Sequence, residues 1–327
     1  MRILHLIGNG FDLNLKMKTS YKEFYQYYKS VKSDDKEIKL LKEHIEEYYK
    51  NWSDLELALG EYTEKLENLN QFDNVFDDIG DHLAAYLQEE ENKFDSSKID
   101  KDKFYNHLAF PENNLPLADR NKILAYKSKF KRSHWGIDLV TFNYTRILDK
   151  IIVEKQQQLV LKTQQNIQTT ITLRGVDHIH GFTDDRMILG VNDLSQIKNK
   201  SFHSNQNVLE AIVKEKCNKA SRHTLDELLK RKINVSDLIC IFGSSIGDTD
   251  NIWWELIGER LKKNIPLIIF TKGEEIPARR KYKSNRVERD IKTYFLNKTK
   301  LSQKEKDAIM PNIYVGLNSG MFNDIRN

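Results

Sequence analysis

Four polar clusters follow directly on apolar runs in this 327-residue chain, and each carries residue types that can bind or activate a small molecule. They are Gly8-Asn9-Gly10-Phe11-Asp12, Thr141-Phe142-Asn143-Tyr144-Thr145, Asp177-His178-Ile179-His180-Gly181 and Gly243 to Asp250. Glycines after a strand let the backbone approach a phosphate, and the amides of a following helix face it with partial positive charge. The first cluster lacks the third glycine of G-x-G-x-x-G and the Lys-Ser/Thr of a P-loop, so it meets neither fingerprint. Two glycines also suit any turn that needs positive φ. Asn143 can orient a ribose or a water by hydrogen bonding, or cap a helix ahead of Tyr144-Thr145-Arg146. A neutral imidazole at His180 can accept a proton, or be a hydrogen-bonded structural histidine. Alternation along a strand puts His178 and His180 on one face. With Asp177, Asp184 or Asp185 the pair could hold a divalent metal and serve a nuclease or phosphodiesterase. No second ligand cluster with recognisable spacing accompanies them, so no metal is expected. Trp52-Ser53-Asp54-Leu55-Glu56 starts a helix, with Ser53 or Asp54 as its cap. Asp248 and Asp250 can contact a ribose or base, or cap the helix that follows.

These residues need an α/β frame to position them. Strand patterns run over Arg2–Ile7, Ile137–Phe142, Met187–Gly190, Leu238–Phe242, Leu267–Phe270 and Ile313–Val315. Gln157–Leu161 and Ile167–Leu173 read as a hairpin, although their glutamine content also suits a mobile loop. Helical patterns run through Tyr21–Tyr28, Lys36–Lys50, Asp54–Leu69, Asn74–Phe94, Leu117–Lys131, Arg146–Gln156, Asn207–Lys216, Leu225–Lys232, Asp250–Lys263, Val287–Leu296 and Ser302–Ile309. Ser20 and Glu23 have capping-box spacing. The polar stretch Asp95–Leu117, with two prolines, reads as a loop. Strands alternating with helices predict a mostly parallel sheet with helices on both faces. In such a sheet the carboxyl ends of the strands share one edge, and the four clusters converge there.

Composition sets the outer bounds. The 39% hydrophobic content supports a sizeable core, and no apolar run reaches the length of a membrane span. The first apolar stretch is too short for a signal-peptide core, so the cytoplasm is expected. Cys217 and Cys240 make neither a disulfide framework nor a four-cysteine zinc site. The net charge of +4 hides an asymmetry: residues 34–120 hold 23 acidic and 10 basic residues, a net of −13, against +17 for the remainder. Solvated faces account for this, as do attraction of an anionic ligand or acidic-to-basic contacts between subunits.

Ile7-Gly-Asn-Gly-Phe-Asp12, Trp52 to Glu56, Phe142 to Thr145, His178 to Gly181 and Gly243 to Asp250 together resemble the bacterial abortive-infection AbiH family over nearly the whole chain. Their order is also similar to the sirtuin fold of antiphage NAD-hydrolysing proteins. The resemblance implies a doubly wound, sirtuin-like, Rossmann-type sheet in one domain over 1–327. It carries a helical insertion at 20–135 and a basic C-terminal extension at 272–327. It further implies an antiphage effector that hydrolyses the nicotinamide–ribose bond of NAD. Asn143 then handles the nicotinamide ribose, His180 acts as base, and Gly8, Gly10, Gly243 and Ser244 contact the dinucleotide. Asn9, Phe11, Asp12, Glu56, Gly181, Asp248 and Asp250 complete the expected binding set. NAD enters as substrate, a phage-derived trigger or partner protein controls the activity, and the chain forms a homo-oligomer, with neither membrane nor nucleic acid as partner. The first turn departs from the Gly-Ala-Gly and following Ser of sirtuins, and the missing zinc cysteines set protein deacylation aside. The alternatives are a non-catalytic nucleotide-binding sensor and the metal enzyme built on His178 and His180.

Overall fold

Ile3, Leu4, Leu6 and Ile7 are all fully buried in β1 (Arg2–Ile7), which alternation with one wet face would not produce. In the computed structural model, which describes residues 1–130, 134–152, 157–162 and 168–326, β1 lies inside a seven-stranded sheet and is covered on both faces.

Helix α1 (Gly10–Asn14) follows β1 at once, and α2 (Tyr21–Ser30) opens on the capping box expected of Ser20 and Glu23. Next come α3 (Lys36–Glu47), α4 (Leu55–Tyr62, capped by Asp54) and the long α5 (Leu69–Asn92). The stretch read as a loop holds a helix, α6 (Lys101–Ala109). Asp100 caps it, and Phe104, Tyr105 and Leu108 form one buried stripe, too short to stand out in a polar segment. Helix α7 (Leu117–Lys127) then leads into β2 (Trp135–Thr141), and α8 spans only Ile147–Ile151. The rest of that expected helix, at 153–156, falls outside the described residues.

Strands β3 (Gln157–Lys162) and β4 (Gln168–His178) pair antiparallel, as the hairpin reading expects. Met187–Gly190 is not a strand: it is buried coil, held where the Ile188 amide donates to His180 O at 2.8 Å. Helices α9 (Gln206–Ile212) and α10 (Lys214–Ala220) replace one expected helix, breaking at Val213, which bridges to Val191. The chain closes with α11 (Leu225–Val235), β5 (Leu238–Phe242), α12 (Asn251–Leu261), β6 (Leu267–Thr271), α13 (Ser284–Asn297), α14 (Gln303–Ile309) and β7 (Ile313–Leu317).

The strand order is β3-β4-β2-β1-β5-β6-β7, parallel throughout except for the β3–β4 pair. The chain therefore builds outward from β1 to one side and then restarts on the other. Register puts the strand ends level: Ile7 lies opposite Thr141 and Phe242, and Thr141 opposite His178. All four polar clusters consequently leave the sheet at one edge, beside the reversal at β1. One core packs Ile3, Ile7, Leu139 and Cys240 against α6 and the C-terminal Phe322; another packs Leu4, Leu6, Ile239 and Ile241 against α11 and α12. A third unites Phe24, Leu41, Trp52 and Leu83 of the helical segment with Tyr144 and Ile212. Among the described residues no helix is long and apolar enough to cross a membrane.

Candidate functional site

A cleft of about 890 Å³ opens at that edge. Its walls contain Gly8, Asn9, Gly10, Asp12, Asn143, His180, Gly243, Ser244, Asp248 and Asp250, with Glu56 brought in by α4. Two of the expected residues are not on these walls. Phe11 is fully buried, its ring edge-on to Phe104, Phe242 and Phe322 at 6.1, 6.4 and 5.3 Å between centroids. Gly181 turns the chain at φ +74°, where a Cβ would stand 1.8 Å from Arg186 O.

The glycine turns lock onto each other. Gly8 N–H donates to Phe242 O at 2.9 Å, Gly10 N–H to Gly243 O at 2.8 Å, and Phe11 N–H to Gly8 O at 3.0 Å. A Cβ on Gly10 would lie 2.5 Å from Gly243 Cα, and Gly243 itself sits at φ +66°. These three amides of the first turn are thus engaged within the protein, and its glycines let two backbones touch. Asn9 is engaged as well: its amide donates to Thr19 O at 2.8 Å and accepts from Thr19 Oγ1 at 2.6 Å. In the second turn Ser244 Oγ accepts from the Ile246 amide at 3.1 Å.

Asp12 forms the floor. Its carboxylate accepts from Asn143 Nδ2 at 3.0 Å and from Thr145 Oγ1 at 2.6 Å. Burial nevertheless pushes its carboxyl up to about 7, against the pull of those two bonds. Asn143 caps no helix, since the N-cap of α8 is Arg146 with no side-chain cap bond. The bond to Asp12 uses one of its two amide N–H groups and leaves the other, with the carbonyl oxygen, to meet a ligand hydroxyl.

Beside Asn143 runs a buried chain of charged and polar groups. His180 Nε2 lies 3.0 Å from Asp250 Oδ1, and Lys214 Nζ donates to the same oxygen at 2.9 Å. Lys214 Nζ also donates to Glu56 Oε2 at 2.8 Å, and Tyr144 OH lies 2.8 Å from Glu56 Oε1. Burial alone would raise the Asp250 carboxyl, but Lys214 and then His180 hold it below the ordinary 3.8. Burial likewise opposes the Lys214 ammonium, but Asp250 and Glu56 raise it above 10.5. An ionised Asp250 can only accept, so His180 donates to it from Nε2, and in the neutral imidazole the lone pair then lies on Nδ1. Asp250 consequently caps nothing on α12. Asp54 does cap α4, accepting from the Leu57 amide at 3.1 Å, while burial, aided by Glu56, pushes its carboxyl to about 6. At the rim, Asp248 accepts from Lys298 at 2.7 Å, and Lys272, just past β6, donates to Asn14 at 2.9 Å. The His180 end of the cleft is therefore acidic, and its β6 end carries Lys272.

The histidines that alternation would place together are separated, because β4 ends at His178 and the period of two ends with it. His178 Nε2 pairs with Asp149 at 2.7 Å and its ring packs on Phe182, while His180 turns to Asp250. Asp177 pairs with Lys232 and Asp184 with Arg146. Among the described residues no group of three or more His, Cys, Asp or Glu could hold a metal ion. Lys214 and Tyr144 escape sequence reasoning. A lysine near the end of the helical pattern over Asn207–Lys216 reads as solvated, and only its place straight after the buried run Val208, Leu209, Ile212, Val213 hints otherwise.

The family model described as bacteriophage abortive infection AbiH matches residues 4–271. No curated protein matches the chain.

Proposed function

The chain belongs to the bacteriophage abortive infection AbiH family, and from that premise we propose that it aborts infection by hydrolysing the nicotinamide–ribose bond of NAD. In this proposal the sheet is a sirtuin-like doubly wound core, with 20–135 as a helical insertion and 272–327 as a basic extension. The protein acts in the cytoplasm, as a homo-oligomer, under the control of a phage-derived trigger. The observation that carries it is the pairing of Asn143 with a tautomer-fixed His180 in one cleft.

Cleavage of this bond passes through an oxocarbenium-like ribose and releases nicotinamide, a good leaving group. The Asn143 carbonyl accepts from a ribose hydroxyl and fixes the sugar. Asp54, Glu56 and Asp250 put negative charge where positive charge develops on the ribose. Water attacks C1′, the C1′–N bond breaks with its electrons leaving on nicotinamide, and His180 Nδ1 takes the proton from water. The products are ADP-ribose and nicotinamide. At the β6 end, Lys272 and Ser244 suit the pyrophosphate.

The test is chromatography of NAD incubated with the protein at high concentration. Wild type releases nicotinamide; His180→Ala lowers the rate by roughly 10²–10⁴-fold, and Asn143→Ala abolishes release. Wild-type rates in both variants would refute the site assignment. Saturable NAD binding without turnover in triggered cells would favour a sensor, and chelator-sensitive loss of nucleic acid a metal enzyme.

A further inference from the structure

Lys214 sits where an apolar residue would serve stability better. It is a buried ammonium on α10, directly after Val213, and replacing buried ion pairs with packed hydrophobic groups is often neutral or stabilising. The cation is held by two carboxylates from distant parts of the chain, Glu56 of α4 and Asp250 ahead of α12. Its position relative to the cleft is specific. A second cavity of about 260 Å³ lies behind the cleft, and His180 and Asp250 line both spaces, whereas Lys214 lines only the rear one. Lys214 thus reaches His180 through Asp250 Oδ1, the oxygen that both nitrogens approach, at 2.9 and 3.0 Å.

We infer that Lys214 is a positioning residue for His180: acting through the shared Asp250 oxygen, it fixes which ring nitrogen carries the proton and which presents the lone pair. The inference rests on His180 being the base proposed above. Lys214 Nζ donates to both Asp250 Oδ1 and Glu56 Oε2, and so anchors the carboxylate oxygen at which His180 Nε2 points.

The experiment uses the full chain with ¹⁵N-labelled histidine, His180 being assigned by its loss in His180→Gln. Wild type shows Nε2 protonated and Nδ1 bare. Lys214→Met shows a mixture of the two tautomers. Glu56→Gln/Lys214→Met, which leaves no orphaned Glu56 charge and so safeguards folding, shows the same. An unchanged tautomer in the folded variants would overturn the role of Lys214. The tautomer is read without NAD, so a wild type that fails to hydrolyse NAD defeats the proposed activity while the histidine spectrum still decides this inference.

Discussion

Replacing Asp12 with asparagine isolates the energetic cost of the carboxyl in the cleft floor. The group is fully buried, and burial pushes it up to about 7 from its ordinary 3.8 despite two hydrogen bonds. Below pH 3.8 both folded and unfolded chains hold the proton, and Asp12 imposes no penalty. Between there and about pH 7 the unfolded chain releases it while the folded chain keeps it, so stability falls as pH rises. Above that both states are ionised and the penalty is constant, at about 4 kcal/mol for the interval between the two values. Asparagine is neutral throughout and can still accept from Thr145. The assay is urea unfolding of wild type and Asp12→Asn from pH 4 to 8, read as the difference between the two stability profiles, in which all other titrations cancel. The variant gains on wild type by about 4 kcal/mol across that window. Parallel profiles would refute the account, because Asp12 would then titrate alike in the folded and unfolded chains.

Three further substitutions separate packing from ligand contact. Gly10→Ala, whose Cβ would lie 2.5 Å from Gly243 Cα, destabilises the fold by about 1–3 kcal/mol in urea unfolding. Gly80→Ala on α5 meets nothing within 4 Å and stabilises it by about 1 kcal/mol, so the two alanines move the midpoint in opposite directions. Phe11→Ala costs about 3–5 kcal/mol, as loss of a core ring does, and leaves the affinity of the folded protein for NAD in calorimetry unchanged.

Periodicity and end signals located most of the frame. Fully apolar runs marked β1 and β5 as interior strands, the spacing of Ser20 and Glu23 marked a helix start, and alternation of strands with helices implied parallel pairing. Parallel pairing in turn is enough to bring Gly8, Asn143, His180 and Gly243 to one edge, since strands running the same way must end on the same side. Where local pattern was weak it misled: α6 hid in polar sequence, and alternation was carried past His178 into residues that no longer belong to a strand.

The residue types along the chain were thus sufficient to locate the strands of the sheet and the polar groups that follow them, because such features depend on neighbours a few positions away. They also suggested a strand at Met187–Gly190 and stopped β4 at Leu173, short of His178. Tertiary structure alone decided what those groups do to one another. Lys214 meets Glu56 across 158 positions of sequence and Asn143 meets Asp12 across 131, and no period or cap encodes such a meeting. Burial then gives these contacts their force. With water excluded, Asp12 resists ionisation, Asp250 keeps its charge only because Lys214 and His180 face it, and three glycines become the places where two turns can touch.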